Sequence, residues 1–250
     1  MKKFFAVIAT LLLSVSCNLV QKSNEIWYST LDNGTVELHD PSACGAEVVS
    51  NTNMKGWGVV KFDAPIVTVG ADLMRENGQL CAVSLPSDVT SIDQEAFADC
   101  TSLKSVTMFD KVTYIGHAAF KGCSTLADIT LSKSLATVWT EAFSGCGFIG
   151  ITLPQSVTEI GAGAFRGCNN LISATLSGSV AVVGEQAFAE CPKLEYVYCK
   201  SLIPPVLEEG VFQGASAKMK IYVPNESLDL YKWASSWRGY KHRIIGFDFK

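Results

Sequence analysis

The sequence predicts a β-rich solenoid, about seven turns of 22–24 residues stacked along one shared core with a cap at each end. Three observations carry this. A signature Ala-Phe-x-x-Cys returns as Ala96-Phe97…Cys100, Ala119-Phe120…Cys123, Ala142-Phe143…Cys146, Ala164-Phe165…Cys168 and Ala187-Phe188…Cys191. Its phenylalanines lie 23, 23, 22 and 23 residues apart. Degenerate copies flank the five. Ile66, Val69, Met74, Asn77 and Leu80 hold the columns before them; Leu207, Phe212 and Tyr222 hold those after, with Ala215 in place of cysteine. A fixed period of this length marks units that bury their apolar residues only by stacking on one another, and weak outer copies are what such a stack shows at its ends.

Residues 1–16 read as a leader. Lys2 and Lys3 give a positive start, and Phe4 to Leu13 form an apolar run too short to span a bilayer as a mature helix. Small residues before a cysteine, in Leu13-Ser14-Val15-Ser16-Cys17, resemble a bacterial lipoprotein box. The resemblance implies cleavage before Cys17 and lipidation of its thiol; an ordinary secretory signal is the alternative. No other long apolar run follows, so the expected membrane contact is a lipid anchor at Cys17 and nothing else. Asn18 to Asn24 lack an acidic export run, which leaves surface-facing and periplasm-facing positions both open.

Residues 17–59 are expected to be an anchor linker and a β-hairpin cap. Ile26–Thr30 and Thr35–Leu38 are β-prone runs around Asp32-Asn33-Gly34, a strong hairpin signal. The solenoid proper spans 60–223. In each turn a short strand such as Ile129-Thr130-Leu131 sends residues two apart to one face. Pro86 and Pro154 follow that strand, where a missing N–H is harmless. Gly70, Gly116, Gly161 and Gly184 share a column and suggest a tight bend, with Trp139 in that column in the third turn, which is one residue short. The phenylalanines are expected to form the spine of the core. Residues 224–250 read as the C-terminal cap. There Asn225 can start a short helix with Leu230, Trp233, Ala234 and Trp237 on one face, and Arg243–Phe247 can add a strand.

Nine cysteines in an exported chain normally suggest a disulfide framework. Five of them share one column, however. Stacking separates their Cβ atoms by the strand pitch of about 4.8 Å, whereas a disulfide needs about 3.8 Å. Free, buried thiols are expected there; for Cys44, Cys81 and Cys199 the pairing stays open.

This set of motifs resembles the BspA-like leucine-rich repeat family of bacterial cell-surface proteins, over about residues 60–223. The resemblance implies a right-handed leucine-rich-repeat solenoid at the cell envelope, in a family linked with adhesion and with binding of host or matrix proteins. Fold alone does not name a partner.

Function is then expected to lie in a surface. Without residues 1–16 the chain keeps 18 basic and 24 acidic side chains, a net charge of −6 with no Lys/Arg cluster, which argues against a nucleic-acid partner. His39, His117 and His242 are scattered, and no metal, phosphate-binding or nucleophile motif occurs. No catalytic residue, cofactor or metal site is expected, and a linear cysteine ladder cannot surround one ion. The candidate contacts are outward strand residues: Thr107, Thr130, Thr152 and Thr175, continued by Tyr198 and Tyr222, with Tyr196 in the row beside them. Seven strands would make a continuous ribbon roughly 30 Å long. Threonine is also simply a good exposed-strand residue, and packing against the cap would equally explain the tyrosines. The expectation is a lipid-anchored envelope protein, placed at the cell surface in preference to the periplasmic side. It binds a macromolecule, in the first instance a protein, through its exposed sheet. The alternative is a structural spacer or assembly subunit without a dedicated ligand.

Overall fold

The computed structural model describes residues 21–54, 56–127 and 129–249. The expected leader and the lipidation site at Cys17 lie outside the described residues. Short parallel strands stack turn upon turn. One side is a seven-stranded ladder of two-residue strands: β4 (Thr68–Val69), β6 (Ser91–Ile92), β8 (Tyr114–Ile115), β9 (Thr137–Val138), β11 (Glu159–Ile160), β13 (Val182–Val183) and β15 (Val206–Leu207). The second residue of each is buried, and every neighbouring pair is parallel and in register.

The other side carries longer strands in two sheets. At the N-terminal end, β1 (Glu25–Thr30), β2 (Val48–Met54) and β3 (Trp57–Phe62) join β5 (Leu80–Ser84) and β7 (Ser105–Thr107) in the order β2-β3-β1-β5-β7. At the C-terminal end, β10 (Gly150–Thr152), β12 (Ser173–Leu176), β14 (Tyr196–Cys199), β16 (Lys220–Pro224) and β17 (Ile244–Phe247) are all parallel. Residues 129–131 belong to no strand, so the expected continuous ribbon is instead divided at the third turn. That turn is the one shortened by a residue. Phe148, two positions after Cys146, takes the place that Leu103, Leu126, Leu171 and Leu194 hold three positions after theirs, and it is fully buried. The shortcut presses the chain onto the turn before it: a Cβ at Gly147 would lie 2.3 Å from the Ser124 carbonyl oxygen.

The spine is as expected. Phe97, Phe120, Phe143, Phe165, Phe188 and Phe212 form one row with ring centroids 5.2, 5.4, 5.6, 5.1 and 5.8 Å apart, each pair nearly parallel. The Ala-Phe segments form a third hydrogen-bonded side. In the second copy, the N–H groups of Glu95, Phe97 and Asp99 donate to the carbonyls of His117, Ala119 and Lys121 one turn on. The two outer donors of these three turn left-handed, a region that residues other than glycine enter at a cost. Glu95 and Asp99 do so at φ 52° and 56°, as do Ala118, Glu141, Gln186 and Glu190 in the same two columns.

The cysteine column has a polar role beyond filling space. The thiols of Cys123, Cys146, Cys168 and Cys191 donate to the carbonyls of Phe97, Phe120, Phe143 and Phe165 at 3.1–3.3 Å, and Cys100 donates to Met74 at 2.9 Å. A buried thiol thus serves an inward carbonyl that alanine would leave with less. Burial pushes the Cys100 thiol up to about 12 and holds Cys123 and Cys146 well above their ordinary range, so these groups stay protonated donors. All eight described cysteines are free, and seven are buried. In a chain carrying Cys17→Ser, a thiol reagent such as dithiobis(nitrobenzoate) should modify only Cys81 in the native state and all eight after denaturation. Fast native modification of further thiols would show that the column is open to solvent.

The N-terminal cap differs from expectation. Asp32-Asn33-Gly34 does turn, with Asn33 at φ 57° and the Gly34 N–H on the Asp32 carboxylate at 2.8 Å, yet residues 35–38 form no strand. Both edges of β1 are already occupied, by β3 and by β5, each antiparallel. Side-chain amides serve the bypassed segment instead: Asn51 donates to the Val36 carbonyl and Asn53 to that of Gly34. The hairpin in this cap is β2–β3, with Gly56 at φ 89° in its turn.

In the C-terminal cap, α1 (Leu228–Trp233) ends at Ala234, which is extended, and Ser235–Tyr240 form a 3₁₀ turn. The break changes which face is inward. Tyr231 and Trp237 are fully buried against each other, whereas Leu230 and Trp233 are 58% and 79% exposed. The Tyr231 hydroxyl donates to the Ser201 carbonyl and the Trp237 indole to that of Pro205, so this pair seals the stack. The final strand forms as expected, as β17 beside β16.

Candidate functional site

Parallel registry places Thr175, Tyr198, Tyr222 and Ile245 side by side across β12, β14, β16 and β17. In a pleated sheet such a row shares one face, and alternate residues point inward. Val197, Cys199, Ile221 and Val223 are accordingly buried, while Tyr198 and Tyr222 stand half-buried on the outer side. Their rings stack at 5.1 Å and 17°. Phe247 meets both edge-on, at 6.0 and 5.6 Å, and Phe249 packs on Phe247 at 4.9 Å. The Lys200 ammonium lies 6.0 Å from the Phe249 ring centroid, near the outer limit for attraction to an aromatic face.

Among the described residues this four-ring group is the largest outward aromatic cluster on the long-stranded side. Beside it a cavity of about 310 Å³ is lined by Lys200, Leu202, Pro224, Glu226, Phe247 and Phe249, among others. A depression walled partly by aromatic rings and partly by polar groups, with Lys200, Glu226 and Asp248 in its lining, can hold a side chain and orient it by hydrogen bonds.

The structure brings together Tyr198 and Tyr222 but not Tyr196. Tyr196 is 37% exposed on the same strand, in register with Ser173 and Lys220, and takes part in no ring pair among the described residues. Thr107, Thr130 and Thr152 are exposed and Thr175 half-buried, but they do not share one ribbon. Thr107 belongs to the N-terminal sheet, Thr152 and Thr175 to the C-terminal one, and Thr130 to no strand. A depression of about 380 Å³ opens at that division, between Ile129–Leu131 and Gly150, Thr152 and Pro154. Phe247 and Phe249 went unrecognised in the sequence as partners of the tyrosines. The available signal was the Ile245/Phe247 alternation in the last strand, which puts both on the outer face once β17 pairs in parallel with β16.

The arrangement suits binding. His39, His117 and His242 are exposed and lie in different parts of the chain. Among the described residues no group of His, Cys, Asp and Glu could hold a metal ion, and no helix is long and apolar enough to cross a membrane.

The family described as BspA type Leucine rich repeat region matches this chain in six copies, over residues 52–148 and 90–219. Among solved structures, the chain is similar to a leucine-rich repeat protein of T. pallidum, with 33% identity over 57% of this chain and 68% of that one at a TM-score of 0.51. A leucine-rich repeat protein from Bacteroides ovatus shares 25% identity over 85% of this chain and 56% of its own, at 0.53. The pneumococcal vaccine antigen PcpA shares the fold, at 19% identity over 80% of this chain and 48% of its own, at 0.57. The chain thus spans about half the length of the latter two. No curated protein matches significantly.

Proposed function

The chain belongs to the BspA-type leucine-rich repeat family, and on that premise we propose that it is a lipid-anchored envelope protein, displayed at the cell surface, that binds a protein through the outer face of its C-terminal sheet. One observation carries the choice of face: Tyr198, Tyr222, Phe247 and Phe249 form a preformed aromatic cluster beside a cavity on the outside of a rigid parallel sheet. Exposed tyrosines give large contact area with few rotors to freeze, and a preformed surface spends little binding energy on ordering. Cys17 would tether the mature chain to the membrane, and no nucleic-acid partner is part of the proposal.

The test uses immobilised host matrix proteins as probes. The protein should bind at least one of them, and replacing Tyr196, Tyr198 and Tyr222 together by alanine should weaken that binding at least about tenfold, the scale of losing one hot-spot residue. Thr107→Ala and Thr130→Ala, away from the cluster, should leave it unchanged. Because the triple variant gives up three ring contacts, Tyr198 with Tyr222 and Phe247 with each, it should lose about 3 kcal/mol of stability and no more. A larger loss with unaltered affinity would make the tyrosines cap residues. Protease shaving of intact cells tests the surface position, since a periplasm-facing chain would be protected. The rival reading, an assembly subunit, has one observation in its favour: among the described residues no strand pairs with the outer edge of β2, and Val49 and Met54 are exposed. Concentration-dependent self-association of the purified chain would favour it.

A further inference from the structure

The ladder face carries a second feature, made where one turn departs from the repeat. The residue after each ladder strand is Gly116, Trp139, Gly161, Gly184 and Glu208 in successive turns from β8 to β15. Trp139 is 44% exposed, a large aromatic surface flanked in this column by Gly116 on one side and Gly161 and Gly184 on the other. Tyr114, from the preceding turn, packs against the indole at 5.4 Å and 56°. On the side of the following turns a groove of about 180 Å³ opens. Its floor is the backbone of Gly161, Ala162 and Gly184, and Thr137, Thr140, Glu159 and Glu208 edge it.

The chemistry of these edges is one-sided. Glu159 and Glu208, and Glu185 next to the floor, take part in no ion pair among the described residues. The nearby cations are occupied: Lys121 pairs with Glu141 at 2.6 Å and Arg166 with Glu190 at 2.7 Å. The Glu185 N–H donates to the Glu208 carboxylate at 2.9 Å, which holds that side chain across the end of the groove. An ionised carboxylate only accepts hydrogen bonds, and an indole face attracts cations. The complementary group therefore donates without accepting, carries positive charge and fits a space the size of one side-chain head.

We propose that this groove is a binding site for a basic side chain, arginine or lysine, presented by a protein partner, with Trp139 as the platform and Glu159 and Glu208 as the charge partners. A guanidinium matches best, since it stacks flat on an indole and offers its N–H donors around its rim. The site lies on the ladder sheet, whereas the aromatic cluster lies on the long-stranded one, so the two are testable apart.

The experiment is a titration of the ¹⁵N-labelled purified full chain, following the indole N–H resonance of Trp139, assigned by its disappearance in Trp139→Phe. Three probes are used: a capped Gly-Arg-Arg-Gly peptide, its Gly-Gln-Gln-Gly counterpart and a neutral glucose tetrasaccharide. The arginine peptide should shift the Trp139 signal saturably, and the glutamine peptide and the saccharide should not. Glu159→Gln/Glu208→Gln, two exposed changes whose fold is checked by the rest of the spectrum, should weaken the arginine peptide at least about fivefold, and raised salt should weaken it as well. Absence of a saturable shift overturns the proposal, as does equal binding by the glutamine peptide or by the double variant. A response to the saccharide alone would make the groove a sugar platform and overturn it too.

Discussion

Replacing Phe143 by alanine is expected to remove about 4 kcal/mol of stability, the middle of the range for a buried phenylalanine. The ring is fully buried and touches aromatic neighbours on three sides: Phe120 at 5.4 Å, Phe165 at 5.6 Å and Phe148 edge-on at 5.6 Å. Packing of the turns on both sides fixes those rings in place, so the cavity has little room to collapse. Position in the stack adds a second effect. A solenoid's stability is a sum of terms within turns and between neighbouring turns. At the third turn the long-stranded side is divided at residues 129–131, which leaves the ladder strands β8, β9 and β11, the Ala-Phe hydrogen bonds and the phenylalanine row to couple the two halves. Removing Phe143 weakens that coupling where it is already thinnest. Urea unfolding followed by circular dichroism should therefore show a lower midpoint and a transition that broadens or splits. Phe212→Ala, at the end of the row against Tyr240, should lower the midpoint less and leave the transition single. A loss below about 1 kcal/mol for Phe143→Ala would mean that the row does not carry the core.

The parts legible in the sequence are those that every turn repeats. Phe97 to Phe188 recur at one column, and a column can become a row in space in only one way once the turns stack. The outward position of Tyr198 and Tyr222 followed from strand alternation for the same reason. Single events were less legible. The interruption at residues 129–131 falls in the turn that is one residue short near Gly147, and a one-residue change in spacing announces no loss of strand some seventeen positions earlier. The hairpin expected at Asp32-Asn33-Gly34 failed because a local turn signal says nothing about whether the strand edge beside it is free, and β5 had taken that edge. The left-handed columns could have been found. Glycines 122, 145, 167 and 214 share a column with Asp99 and Glu190 and have positive φ throughout, whereas the column of Gly116, Gly161 and Gly184, read as a bend, does not. Those glycines answer to crowding, not to handedness. Trp139 and its groove could not be weighed from sequence, because the glycines beside it make space only once the neighbouring turns are in place.

Gly161→Ala tests that distinction, and its expected result has the opposite sign to the usual one. At a glycine whose backbone alanine can adopt, the substitution typically adds about 0.4–1 kcal/mol by restricting the unfolded chain. The φ of Gly161 is not left-handed, so on backbone grounds alone the change should stabilise. A Cβ there, however, would lie 2.6 Å from the Thr140 nitrogen, 2.8 Å from the Trp139 carbonyl carbon and 3.0 Å from the Val138 oxygen. All three are backbone atoms of the preceding turn, and none can swing aside as a flexible side chain could. Relief requires the two turns to separate. That would stretch the bond from the Gly161 N–H to the Val138 carbonyl, now 2.7 Å, and open the phenylalanine contact between Phe143 and Phe165 on the same pair of turns. The expected loss is about 3 kcal/mol, at the top of the ordinary range for overpacking. Gly78→Ala is the matched control: its nearest neighbour, the Thr101 hydroxyl, would be 3.9 Å away, so that variant should be neutral or slightly more stable. Thermal unfolding of the two variants beside the parent chain decides the matter. Equal stability of Gly161→Ala and Gly78→Ala would mean that the turns are not stacked as closely as the ladder hydrogen bonds require.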